Sequence, residues 1–249
     1  MLGSRVYGLA AVLLGAVVLA WGDFSSTWQP VPDALPQRAL FAYVAGAMLA
    51  AAGIALLARR WERPAALAVA ALALVFAAGW VGRIVGQPAL FAMWLGLAEQ
   101  LAVVLGGLAV VASRDGRTGP MGHAVRVGFG LCLLAFGTAH LLYVKETAAM
   151  VPAWLPPGQR FWALLTGVAD LAAGLALLAG PLALLAARLA TAMFVGFGLL
   201  VWLPLLIAAP GEPTNWFGNA INLAIAAGAW AVADLIARAP PPAWWRRGR

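Results

Sequence analysis

The stretch GTAHLLYVKETAAMVPAWLPPGQRFWALLTGVADLAAGLALL, residues 137–178, holds two apolar runs apart by a polar, proline-rich segment. The first run ends near His140, and the second begins near Phe161 and carries Asp170. Lys145, Glu146 and a Val-Pro-Ala-Trp-Leu-Pro-Pro loop lie between them. Apolar runs of about 20 residues match the thickness of a bilayer core. Ionisable groups inside such runs are expensive and turn towards the bundle interior. Asp170 follows Phe161 by nine residues, or roughly 13 Å of helix at 1.5 Å per residue.

The rest of the chain extends the pattern. Of 249 residues, 64% are hydrophobic and 10% charged, and the mean hydropathy is +0.91. A soluble domain of this size would need far more charge on its surface. An all-α, polytopic membrane protein follows, with about eight transmembrane helices near 6–22, 39–58, 65–85, 90–112, 123–143, 161–179, 183–207 and 217–237. The sixth and seventh spans are parted by Gly180 and Pro181 alone, so seven spans with one broken helix is the alternative. Pro204 is placed to kink the seventh.

The net charge of +7 does not indicate nucleic acid, because the arginines gather at helix ends. Arg5, then Arg59, Arg60 and Arg63, then Arg114, Arg117 and Arg126, then Arg238, Arg246, Arg247 and Arg249 fall on one side. Arg38, Lys145 and Arg160 fall on the other, with Arg83 near a helix end. This bias places both termini in the cytoplasm and the protein in the cell's inner membrane. The N-terminal apolar run lacks small residues at a cleavage position and reads as a retained first span. In the tail APPPAWWRRGR, residues 239–249, three prolines end the last helix. Trp244 and Trp245 beside arginines suit an anionic leaflet, and a solvated end suits them as well.

Cysteine-pair redox chemistry and thiolate zinc sites are excluded by a single cysteine, Cys132. Two histidines are too few for several haems. The sequence shows no metal cluster and no nucleophile–base pair, so a stand-alone enzyme is not indicated.

Two long segments align with each other. VPDALPQRALFAYVAGAMLAAAGIALL starts at Val31 and VPAWLPPGQRFWALLTGVADLAAGLALL at Val151. With one insertion, Gly46 meets Gly167 and Gly53 meets Gly174. MWLGLAEQLAVVLGG from Met93 likewise aligns with NWFGNAINLAIAAGA from Asn215, pairing Trp94 with Trp216, Gly96 with Gly218 and Gly106 with Gly228. The expected organisation is two parallel four-helix repeats, 1–118 and 119–238, followed by the basic tail.

Four intramembrane ionisable residues form the candidate polar site: His140, Asp170, Glu99 and Arg83. Gly167, Asp170 and Gly174 share a helix face, and Gly137 lies three before His140. Gly96, Glu99 and Gly106 are expected to share a face similarly. Glycine stripes let helices approach closely. Arg83 also fits a snorkelling side chain, and Glu99 a structural contact with a neighbour such as Gln100. Asn219 and Asn222 suit interhelical hydrogen bonding, and Asp234 a solvated end. At the places of Asp170 and His140 the first half has Leu49 and Val18, and at the place of Glu99 the second has Ile221. One shared site is therefore simpler than two, beneath a lid loop with Pro152, Trp154, Leu155 and Pro156.

The histidine late in one helix, the Pro-x-x-Leu-Pro element at Pro152, Leu155 and Pro156, and Gly167 with Asp170 resemble the DoxX-like membrane proteins. The resemblance is clearest over residues 126–180. Asp170 stands where glutamate is usual, and the tandem form departs from the usual single four-helix unit. Relatives include a membrane subunit of thiosulfate:quinone oxidoreductase. The resemblance implies an accessory subunit of a quinone-linked redox system that has no redox centre of its own. It would bind quinone and take electrons from a redox partner protein. A small-solute or proton transporter, and a structural or assembly protein, are the other readings open at this point.

Overall fold

The computed structural model describes residues 2–116 and 119–238, so the tail and Arg117 lie outside the described residues. Eight helices are long and apolar enough to cross a membrane. They are α1 (Leu2–Trp21), α2 (Arg38–Leu56), α3 (Glu62–Gly86), α4 (Phe91–Arg114), α5 (Pro120–Leu142), α7 (Gln159–Ala179), a broken span over Ala183–Ala208, and α10 (Pro213–Arg238). A short helix, α6 (Val144–Met150), lies across the α5–α7 connection. The protein is thus an all-α, multi-pass membrane protein.

Gly180, at φ 101°, ends α7. The backbone can turn there because no side chain resists a positive φ. The sixth and seventh spans are therefore separate helices. The seventh is interrupted within itself. α8 (Ala183–Phe197) passes through a π-helical segment, Gly198–Trp202, into α9 (Leu203–Ala208). Pro204 lacks an N–H and its ring clashes with the carbonyl four residues back. The widened turn accommodates this, and Leu203 N–H bonds Gly198 O, five residues back.

α10 compensates the break. Asn215 Nδ2 donates to Leu205 O at 3.0 Å and Ala209 O at 3.1 Å. Asn219 Nδ2 donates to Trp202 O at 2.8 Å, and Asn222 Nδ2 to Phe194 O at 2.9 Å. These asparagines, spaced i, i+4, i+7, lie on one face of α10. Polar backbone freed in an apolar medium must find a partner.

The most enclosed spans are α4 and α10, which pack on each other. α1 packs on both α2 and α10, and α5 on both α7 and α4. Glycines set the closest approaches. A Cβ on Gly15 would lie 2.5 Å from Gly46 O, and one on Gly8 2.8 Å from Gly53 O. Between α5 and α7, a Cβ on Gly137 would lie 2.6 Å from Gly167 O, and one on Gly130 3.0 Å from Gly174 O. Trp80 lies on Gly96 and Trp202 on Gly218.

Gly96 and Gly106 turn to different neighbours, Trp80 and Gly228, contrary to the shared face expected of them. Ten residues at 3.6 per turn leave about 80° between them. Asp234 is not merely solvated either: its Oδ2 accepts from Gly3 N–H at 3.1 Å, joining the first helix to the last.

The 22–37 connection folds into the bundle instead of lying on it. Phe24, Ser25, Trp28 and Gln29 are buried, and Gln29 Oε1 accepts from Ser25 N–H at 3.0 Å. Arg38 pins the segment through Asp23 at 2.6 Å and Val31 O at 2.5 Å.

A Cβ at Gly15 would meet backbone on both Gly46 and Ala50 at 2.5 Å, and backbone cannot rotate away. Gly15→Ala should lower stability in detergent by about 1–3 kcal/mol, the usual cost of overpacking. Gly82→Ala, where nothing lies within 4 Å, should be neutral or slightly stabilising. Thermal unfolding of the two variants against the parent checks both.

Candidate functional site

A cavity of about 420 Å³ opens beneath α6, between the second-half helices and α4. Glu99 of α4, His140 of α5, Tyr143 between α5 and α6, Glu146 of α6 and Asp170 of α7 all line it. Three of the four residues named from the sequence therefore meet on one wall. Arg83 does not. It lies over the Trp80 ring at 4.9 Å and donates to Ser26 O at 3.0 Å.

Helix packing places His140. Its Cβ sits where a side chain on Gly167 would be, 2.8 Å from that position. Its Nδ1 lies 3.0 Å from Thr166 Oγ1. The Thr166 hydroxyl has one proton, and donates it to Trp162 O at 2.8 Å. Nδ1 must then carry hydrogen and donate, and in the neutral ring Nε2 is an acceptor. Phe197 flanks the ring at 5.9 Å between centroids.

Asp170 follows Thr166 by one helical turn. It is 0% exposed, and both carboxyl oxygens lack a hydrogen-bond partner. Polar groups this buried are almost always paired, so this one is a departure. Glu99 differs: the Trp28 side chain bonds its carboxyl. Gln100 is not its partner, since Gln100 Nε2 donates instead to Trp28 O at 2.8 Å. The buried 22–37 connection thus reaches across the bundle and holds the acid of α4.

The remaining wall is apolar. Trp28 meets Trp202 at 5.7 Å, and Phe194 meets Phe136 and Phe197 at 5.9 Å each. Phe197, Leu200, Val201 and Trp202 bring the α8–π interruption into the lining, where π segments often mark functional sites. Of the lid residues, Pro152 and Leu155 line the cavity. Trp154 is 71% exposed and stands outside it. Pro156 O accepts from Trp162 Nε1 at 2.9 Å, fixing the loop to the start of α7.

Trp28, Thr166 and Phe197 are functional contacts the sequence reading omits. Thr166 carried a signal, the i, i+4 spacing to Asp170. Trp28 carried none, because its contacts come from a loop folded inward.

The corresponding region of the first half is closely packed among the described residues. Leu49 and Val18 are fully packed. The cleft lined by Leu14, Leu49, Phe76 and Gln100 measures about 10 Å³, near the lower limit for one water.

The fold and cavity define a polytopic membrane protein with one sizeable intramembrane binding space among the described residues. The profile of a family described as a domain of unknown function (DUF8561) matches residues 129–203. That segment runs from mid-α5 to the start of α9 and supplies His140, Asp170, the lid and the π segment. No curated protein and no solved structure matches the chain.

Trp28→Phe keeps a ring in place but removes the N–H that meets Glu99. Leaving that carboxyl without its donor should cost about 1–3 kcal/mol. The loss should shrink when Glu99 is already leucine, since coupled partners are not additive. A thermal-unfolding double-mutant cycle measures the coupling, and additive losses would show that the two side chains act independently.

Proposed function

We propose that the protein is a membrane transporter for a small solute or for protons, with its site in the cavity beneath α6. Asp170 carries the reading: a fully buried carboxyl, unpartnered at both oxygens, on the wall of a cavity that the interrupted seventh span also lines. An ionised carboxylate in such a place needs a counter-charge. A proton or a cationic ligand supplies it, and exchange between the two couples their movement. Discontinuous spans are where many transporters hold their substrates.

Most of the site's lining comes from the half at 119–238, with Trp28, Leu95 and Glu99 added by 1–118, its tandem copy. Several contacts support duplication. The Gly15–Gly46 and Gly8–Gly53 approaches recur as Gly137–Gly167 and Gly130–Gly174, and Trp80 on Gly96 recurs as Trp202 on Gly218. The indole N–H of Trp94, Trp162 and Trp216 each bonds the carbonyl of a proline six residues earlier. The arginine bias supports cytoplasmic termini in the inner membrane and a lid on the outer side.

The second reading is the quinone-linked accessory subunit, supported by the resemblance to DoxX-like proteins. One observation favours it: His140 and Asp170 share an aromatic-walled cavity of a volume usual for small-molecule sites. There His140 Nε2 would accept from a quinol hydroxyl, and a redox partner would supply or remove electrons.

Proteoliposomes carrying a pH-sensitive dye, under a valinomycin-imposed potassium potential, separate the readings. Transport predicts proton flux that Asp170→Asn and Asp170→Leu both abolish. Asp170→Leu should at the same time raise stability by about 1–3 kcal/mol, because an unpaired buried polar group gives way to an apolar one. Flux untouched by either variant sinks the role of Asp170. No flux, together with quinone in mass spectra of the purified protein, replaces transport by the quinone reading. Loss of stability in Asp170→Leu assigns the carboxyl to assembly.

A further inference from the structure

We propose that the cavity takes lipophilic organic cations: a quaternary ammonium, a phosphonium or a protonated amine borne on apolar groups. The proposal rests on the transport reading and names its substrate class.

Charge is the first ground. Three carboxyl groups, Glu99, Glu146 and Asp170, are on the cavity wall, and no lysine or arginine is. Lys145 is exposed beside Glu146 but does not line the cavity. His140 adds no positive charge as a neutral ring, with Nδ1 donating to Thr166 and Nε2 a lone pair. An anionic ligand would face carboxyls with no cation to receive it. A neutral ligand would leave Asp170 to be neutralised by a proton alone. A cation answers the one fully buried, unpartnered group in the cavity.

The wall is the second ground. Two aromatic groups line the cavity, Trp28 with Trp202 and Phe194 with Phe136 and Phe197. Aromatic faces attract cations, most strongly where water is excluded, and quaternary ammonium groups are typically held this way. A strongly hydrated metal ion would find few oxygens there. A cation with apolar arms matches both the walls and the space of about 420 Å³.

The carboxyls are also graded by depth. Glu146 is exposed on α6, Glu99 is half-buried and Asp170 is fully buried. Acid at the mouth of a low-dielectric cleft raises the local concentration of cations and their rate of entry. Glu99, fixed by Trp28, is the second station, and Asp170 receives the charge.

Tritiated tetraphenylphosphonium is the probe, with the full chain in nanodiscs and binding measured above empty discs. Tetraphenylborate has the same shape and the opposite charge. Saturable binding of the phosphonium is expected, displaced by unlabelled phosphonium but not by the borate. Asp170→Asn should weaken it about tenfold or more, as losing one member of a buried charge pair does. Glu146→Gln, on an exposed helix where folding is not at risk, should slow association a few-fold without abolishing binding. Equal competition by the borate, or binding unaffected by Asp170→Asn and Glu99→Gln, overturns the cation assignment. No phosphonium binding alongside intact Asp170-dependent proton flux overturns the substrate class and leaves transport standing. Absence of both, with quinone co-purifying, removes both proposals together.

Discussion

The backbone contact between α5 and α7 governs the rest of the structure. Where Gly137 approaches Gly167, no side chain separates the helices, and Gly167 leaves room for the His140 Cβ. Thr166 and Asp170, on the same face of α7, are thereby fixed against α5. Lipid offers no hydrophobic force to drive helices together, so close van der Waals contact of this kind decides which helices pair. A larger residue at Gly167 would displace the histidine, and one at Gly137 would press on Gly167 O and Leu171.

The same backbone device in the other half leaves a cleft of about 10 Å³ among the described residues, so side chains decide use once backbones have decided packing. Between α1 and α2 the positions facing the bundle are filled by leucine, valine and tyrosine. The adjoining connection brings in its own aromatic and amide groups and ties them down with Arg38. Trp28 then contributes in both directions, closing the first half and meeting Glu99 on the cavity wall. A filled half gives the open one a rigid wall, because close-packed interiors transmit displacement poorly tolerated elsewhere.

Hydropathy made the eight spans legible, since apolar length is a local property of sequence. Three of the site residues were legible for a related reason: His140, Asp170 and Glu99 are exceptions within apolar runs, and exceptions stand out. Arg83 stands out equally in sequence, yet lies over Trp80 at a helix end and off the cavity. Position within a run does not reveal direction around the helix. Pro204 signalled the break in the seventh span, but the asparagines that satisfy it act across 6 to 28 residues, and only their spacing on α10 hinted at a shared face. Trp28 was beyond reach altogether, because nothing local distinguishes a loop tryptophan lying on the surface from one folded into the core.

An unpartnered carboxyl in the most buried layer works against stability, and the chain contains its own alternative in Leu49, packed at the matching place. Packing needs alone would favour leucine at both positions. The lid, the π interruption and the aromatic lining all preserve space around Asp170, although filling that space would be easier and more stable. Four separate features that each work against closure have a common physical explanation if the space is periodically occupied.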